Sequence, residues 1–401
     1  MPEQALEGYK VIDLSWHIAG PYCTKLLAEL GAEVIKIEKT GGGDPARMMP
    51  PFFQNDPHPE KGLLFLYLNT GKKSITLNLK AEKGKQLFKD LIKDADILVE
   101  NFSPGVMDDL GLDYTALEKI NPGLIMTSIS NFGQTGPYRD YKASDITEMA
   151  LGGLMHMTGE PDREPLTYGG WQAQYQGGIN GFAATMCALT HRDLVSETGD
   201  GQHVDVSIME SIAQILESFD LAHQVGGGFY ERSGRLWANA PAWGIYPCKD
   251  GYVGLVSGPV RRWLQVAVMM DEPQLADMKY VAQRLEFADE IDALMYPWLF
   301  EHTKDEIYHK GQSMDPKVPT SPIRTPQDLI NSPQFKARKF FVEVDHPIAG
   351  KGIYPGAPAK LWETPMKITR APLLGEHNEE IFGRVNYTPD ALNRLKSDGV
   401  I

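Results

Sequence analysis

Short β-branched runs and segments of helical period alternate along the first third of the chain. Tyr9-Lys10-Val11-Ile12-Asp13-Leu14 is strand-like and meets a Gly20-Pro21 break. Tyr22 to Leu30 then places apolar residues at helical spacing and stops at Gly31, and Ala32-Glu33-Val34-Ile35-Lys36-Ile37 follows as a second strand. The unit recurs downstream. Ser74 to Leu79 alternates as a strand, Glu82 to Lys93 has a helical period, and Asp96 to Val99 and Leu124 to Ile129 read as short strands. Strands separated by helices predict a parallel α/β sheet with right-handed crossovers.

The pattern then changes. From about Gln174 to His223 it is helix-rich, interrupted by the strand-like His203-Val204-Asp205-Val206-Ser207 after a Gly-Asp-Gly turn signal. Gly226-Gly227-Gly228 predicts a connection into a smaller α+β segment that runs to about Pro333. The tail returns to strand and loop, punctuated by Pro347, Pro355, Pro358 and Pro365. The expected organisation is a large domain over 1–225, a small one over 226–333 and a C-terminal segment over 334–401. The chain carries no internal repeat or low-complexity tract.

Composition narrows the function classes. A chain of 401 residues with 42% hydrophobic and 9% aromatic content can build a large core. No apolar run approaches the roughly 18 residues of a membrane span, and the start MPEQALEGYK has neither a basic nor an apolar leader region, so a cytoplasmic protein is expected. Cys23, Cys187 and Cys248 are widely spaced, without CxxC pairing or histidines at metal spacing, and read as reduced thiols with no metal site. A net charge of -14 and a pI near 5.2 argue against nucleic acid and anionic membranes as partners. An anionic ligand would need a local pocket.

Familiar catalytic signatures are absent. After the first strand, Ala19-Gly20-Pro21 stands where a dinucleotide-binding enzyme would carry GxGxxG, and no GxxxxGK[ST], HExxH or GxSxG occurs. Gly41-Gly42-Gly43 reads as a surface loop and Met155-His156-Met157 as packing. His17, His156 and His377 read by residue type as structural histidines.

Several separated segments nevertheless resemble those of family III (CaiB/BaiF, formyl-CoA transferase-like) CoA-transferases. They are Val11-Ile12-Asp13-Leu14 with Ala19-Gly20-Pro21, Gly31 to Glu38, Asn101-Phe102-Ser103-Pro104-Gly105, Gly201 to Val206, and Arg370 to His377. Their order and spacing span nearly the whole chain. The resemblance implies a large Rossmann-like parallel-sheet domain, a smaller α+β domain, a C-terminal segment returning to the large one, and two subunits interlocked like chain links. It also implies an aspartate that attacks the acyl-CoA carbonyl, because an ionised carboxylate can form and later surrender an acyl anhydride.

Counting back from Ala188-Leu189-Thr190-His191-Arg192, the position of that aspartate is Gln174 here, and no Asp or Glu lies between Glu164 and Asp193. An amide cannot replace a carboxylate in this chemistry. A second departure is Asp109, where relatives often carry an arginine for a CoA phosphate; a carboxylate there adds repulsion and no donor. Other matching positions of the implied CoA cleft are His17, Ile18, Ala19, Lys39 (in place of an arginine), Leu77, Asn101, Phe102 and Lys142. Asp145 matches an acidic position near the active site that racemase-like relatives pair with a preceding histidine; Ser144 occupies that place here.

The expected function is therefore a non-catalytic subunit of a heteromeric CoA-transferase. Its partner would be a paralogue that keeps the aspartate, in a heterodimer or heterotetramer. The substrates would be an acyl-CoA such as succinyl-CoA and a carboxylic acid such as benzylsuccinate, as in anaerobic toluene degradation. Coenzyme A would serve as a thioester substrate and not as a tightly bound cofactor. Two other readings stay open: an active homodimeric CoA-thioester transferase or racemase using Asp145, and a scaffold protein without enzyme activity.

Overall fold

The computed structural model describes residues 4–216, 219–226, 231–236 and 240–401. Six strands form one sheet: β1 (Lys10–Leu14), β2 (Glu33–Glu38), β3 (Lys73–Thr76), β4 (Ile97–Glu100), β5 (Ile125–Ser130) and β6 (His203–Ser207). Their spatial order is β3-β2-β1-β4-β5-β6, and every neighbouring pair is parallel. The helices around them are α1 (Ala19–Glu29), α2 (Leu63–Leu68), α3 (Glu82–Ile92), α4 (Val106–Leu110), α5 (Tyr114–Leu117), α6 (Asp145–Leu151), α7 (Gln172–Leu194) and α8 (Ile208–Ala213). Central strands covered on both faces should be apolar throughout. Val11, Ile12 and Leu14 of β1 and Ile97, Leu98 and Val99 of β4 are accordingly buried. Helix α3 lays Leu87, Phe88, Leu91 and Ile92 on the same core, and the tail helices Asn378–Arg384 and Pro389–Ser397 add Ile381, Phe382, Leu392 and Leu395.

The expected α/β class and parallel sheet are found. One boundary differs: α1 begins at Ala19, so Gly20 and Pro21 lie inside its first turn and do not break the chain before it. Proline is tolerated there because its missing N–H would have no intrahelical partner. Gly20 is needed because a Cβ at that position would stand 2.2 Å from the Ser15 Cβ.

The chain divides into two compact units. The first comprises Met1–Gly152, Tyr168–Ile215 and Gln334–Ile401; it holds the six-stranded sheet and the antiparallel pair Phe341–His346 and Gly350–Pro355. The second comprises Gly153–Thr167 and Leu216–Pro333. It contains an antiparallel sheet of Trp243–Cys248, Gly251–Val256 and Thr320–Pro322, with Trp263, Met295 and Leu299 in its core. Residues 153–167, 216 and 219–225, expected in the large domain, belong to this second unit. Gly227 and Gly228 of the expected glycine connection lie outside the described residues.

A buried ionic network sits under the carboxyl end of β1. Asp13 accepts from the Lys72 ammonium at 2.9 Å and from the Thr24 hydroxyl at 2.8 Å. Lys36 reaches Asp44 at 2.9 Å and the Ser15 carbonyl at 2.7 Å, and stands 3.8 Å from Asp13. All four ionic side chains are fully buried, two of each sign. Burial alone would raise the Asp13 pKa, but Lys36, Lys72 and hydrogen bonds from Ser15 and Lys72 outweigh it and hold the carboxyl well below its usual range. A second buried cluster ties the tail to the sheet. Arg47 makes a two-pronged contact with Glu38 at 2.7 and 2.8 Å, bonds Glu60 at 2.6 Å, and donates to the Pro372 carbonyl.

Removing one partner of a buried ion network leaves the others uncompensated, which costs about 3–5 kcal/mol. Asp13→Asn should therefore lower the stability read from urea unfolding at pH 7 by that amount. Because the folded-state pKa of Asp13 is depressed, its contribution is present above the unfolded value of about 3.9 and is lost as pH falls below it. The gap between wild type and variant should narrow in acid.

Candidate functional site

In open parallel sheets, ligands bind outside the carboxyl ends of the strands where the strand order reverses. Here that point lies between β1 and β4. The loop after β1 and the loop after β4 are joined across it by Asn101, whose Oδ1 accepts from the Trp16 N–H and whose Nδ2 donates to the Trp16 carbonyl, both at 2.8 Å. Trp16 and Phe102 meet edge to face with centroids 5.3 Å apart. His17 takes a left-handed backbone conformation, with φ of 63°, that non-glycine residues seldom adopt. Its N–H donates to Asp44 Oδ1 at 3.1 Å, so the ionic network beneath the loop holds this turn.

A cleft of about 690 Å³ opens beside these loops. Of the residues expected at a CoA site, His17, Lys39, Leu77, Asn101 and Phe102 line it. Trp16, Thr40 and Lys80 line it too, and sequence reasoning missed them. Ile18 and Ala19 are buried where α1 begins. Lys142 is exposed, with its ammonium 3.5 Å from the Ser103 hydroxyl. Helix α4 contributes Val106 and Leu110 to the wall, while Asp109 is exposed and stands outside the lining. A smaller cavity of about 80 Å³ shares Asn101, Phe102 and Ser103 with the cleft and is completed by Ser130, Arg139 and Gln174, among others. Two polar atoms at these sites, Trp16 Nε1 and Ser130 Oγ, are buried without a hydrogen-bond partner among the described residues. Buried donors of that kind are rare unless something binds them.

Gln174 stands in the first turn of α7, and the glycines of that helix explain how it reaches the site. A Cβ at Gly178 would stand 2.6 Å from the Ala19 carbonyl oxygen, and one at Gly181 would stand 2.6 Å from Ile129. Their absence lets α7 lie against α1 and β5. Trp171, at the N-cap of α7, gives no side-chain cap. The free N–H of Gln174 is met instead by Asp145 Oδ1 from α6, at 3.2 Å. Asp145 is thus a tertiary cap of α7. Burial raises its pKa, partly offset by the backbone N–H groups of Gln174 and Ala173.

The side chain of Gln174 is held by Glu148, which sequence reasoning did not single out. Gln174 Nε2 donates to Glu148 Oε2 at 2.8 Å. With the Asn131 carboxamide in the orientation that satisfies both its atoms, its nitrogen donates to Glu148 Oε1 at 2.7 Å and its oxygen accepts from the Ala143 N–H at 3.3 Å. Glu148 is fully buried. Burial, with a smaller contribution from the Asp145 charge, pushes its pKa up to about 7 against the lowering effect of Gln174. A second buried carboxyl, Glu100 at the end of β4, is also raised to about 7 by burial; it accepts from the Phe102 N–H at 2.8 Å.

The other expected positions fall elsewhere. His377 accepts from the Ser74 N–H at 3.2 Å and His156 lies in the second unit. Cys23 and Cys248 are buried free thiols and Cys187 an exposed one. Among the described residues no group of three or more His, Cys, Asp or Glu side chains is placed to hold a metal ion, and no helix is long and apolar enough to cross a membrane.

Comparison with known proteins places this geometry. The sequence model of CoA-transferase family III matches residues 6–378. The chain is 34% identical to succinyl-CoA--D-citramalate CoA-transferase of Chloroflexus aurantiacus, over 100% of this chain and 99% of that one. It is 32% identical to succinyl-CoA:(R)-benzylsuccinate CoA-transferase subunit BbsE of Thauera aromatica, over 99% and 98%. Among solved structures, a CaiB/BaiF family protein from Brucella suis superposes with a TM-score of 0.85 at 31% identity, over 96% of this chain and 100% of that one. CoA-transferases use CoA thioesters as substrates. The parallel sheet, the cleft at its switch point and similarity along the whole chain together make this protein a member of CoA-transferase family III.

Proposed function

We propose that this chain is the non-catalytic subunit of a heteromeric cytoplasmic CoA-transferase, interlocked with a paralogue that carries the nucleophilic aspartate. The observation that carries the reading is the amide at Gln174, held in the first turn of α7 by Glu148 and facing the cavity shared with Asn101 and Phe102. A carboxylate there could attack a thioester carbonyl; a carboxamide gives no usable acyl intermediate. The reading in which Asp145 acts as a base loses support, because its Oδ1 already caps α7. A pure scaffold has no need of a 690 Å³ cleft lined by Trp16, whose buried indole N–H has no partner among the described residues.

The cleft suits the nucleotide end of a CoA thioester. Leu14, Ile37 and Leu77 offer apolar surface to a base, and Lys39 and Lys80 offer cations to phosphates. Asp109, exposed and adjacent in sequence to the wall residue Leu110, offers no donor to a phosphate. Both relatives named above are succinyl-CoA transferases and one is a subunit, which supports succinyl-CoA as donor, a dicarboxylic acid such as benzylsuccinate as acceptor, and a partner chain.

Two outcomes are expected. Transfer from succinyl-CoA to candidate dicarboxylates should appear only when this chain is co-purified with its aspartate-bearing paralogue. It should survive Gln174→Ala here and vanish when the partner's aspartate is changed; turnover by this chain alone would overturn the proposal. Calorimetric titration of CoA into the chain should show affinity weakened about tenfold or more by Lys39→Ala with Lys80→Ala, as expected for loss of charge-assisted contacts.

A further inference from the structure

At the start of α7 a buried carboxyl and a carboxamide face each other across one hydrogen bond. Resting on the reading of position 174 as the nucleophile position, we infer that Glu148 is a positioning residue that keeps the acidic group of this pair in buried form and pins the Gln174 carboxamide as a neutral group at the cavity. The pair consists of one carboxylate and one carboxamide 2.8 Å apart. Both Glu148 oxygens are occupied, one by Gln174 and the other by Asn131. With one Nε2 hydrogen committed to Glu148, Gln174 keeps its carbonyl oxygen and one N–H to offer. Two amide nitrogens donate to Glu148, so both of its oxygens act as acceptors and the nitrogen end of Gln174 faces it.

The same geometry forbids a simple reversion. An aspartate at 174 would place a carboxylate against Glu148, with Asp145 as the third acidic group at the start of α7. Carboxylates so close cannot all ionise near neutrality and titrate as a coupled set. A retained Glu148 proton would be donated to the new aspartate and blunt it as a nucleophile. Exchanging the two groups, with Glu148→Gln and Gln174→Asp, keeps one charge and one amide. The amide introduced at position 148 could then accept from Asn131 and donate to the new carboxylate. In that arrangement an aspartate oxygen can bond to the thioester carbonyl carbon while the C–S bond breaks and CoA leaves as thiolate.

The full-length chain and three variants, Q174D, E148Q and Q174D/E148Q, would be compared in thermal unfolding between pH 5.5 and 8. Q174D should lose at least about 3 °C more than wild type over that range as its carboxylates are forced to ionise, and the double variant should recover most of the loss. A Q174D curve parallel to wild type, or a double variant as sensitive as Q174D, would overturn the inference. Mass spectrometry after succinyl-CoA treatment gives the second readout. A succinyl adduct at position 174 in the double variant and not in Q174D supports both the inference and the reading beneath it. Rescue of stability without an adduct supports the Glu148 coupling and counts against that reading.

Discussion

Asp13 places a carboxylate inside the parallel sheet, at the carboxyl end of β1, and the loops at the switch point depend on how that charge is neutralised. An isolated carboxylate without solvent would be too costly to ionise, so the fold supplies Lys36 and Lys72, and then Asp44 to balance the second cation. Each member holds backbone as well as charge. Lys72 ties down the Pro21 carbonyl in α1, Lys36 the Ser15 carbonyl, and Asp44 the N–H of His17 in its left-handed turn. The loop that forms one wall of the cleft is therefore fixed from below, and Asn101 fixes it from the side.

Site chemistry follows from how α7 arrives. Its glycines let it approach α1 and β5 closely, and this delivers its first turn to the same loops. The orphan N–H of that turn needs an acceptor, which Asp145 provides from α6. Glu148, one turn further along α6, then meets the side chain at 174. A residue in this place is governed by two acidic neighbours, and a neutral amide fits where an anion would compete with them.

Much of this was legible in the sequence, for reasons that differ by element. The strands are short apolar runs between helical periods, so β1, β2, β4 and β5 fall within a residue or two of expectation. The start of α1 was misplaced because Gly20-Pro21 signals a break in isolation, whereas tertiary contact with Ser15 makes glycine necessary there. Gln174 was singled out through the family resemblance, by counting back from a helix end, and α7 is regular over that span. Glu148 and Asn131 could not be, because their contacts with each other and with Gln174 join α6, the loop after β5 and α7, and no local period reports such a meeting. Lys80 and Trp16 were missed for the same reason: they become neighbours only when β1, β3 and β4 are aligned.

A formed cleft on this chain and a nucleophile on the proposed partner are tested most directly by trapping the acyl-enzyme. The co-purified pair would be treated with succinyl-CoA and isotope-labelled hydroxylamine, which opens an acyl–aspartyl anhydride to an aspartyl hydroxamate and free succinate, and the label mapped by peptide. The predicted result is label on the paralogue's aspartate alone, with residues 172–194 of this chain unmodified. Label on any carboxylate of this chain, Asp145 or Glu148 above all, would contradict it.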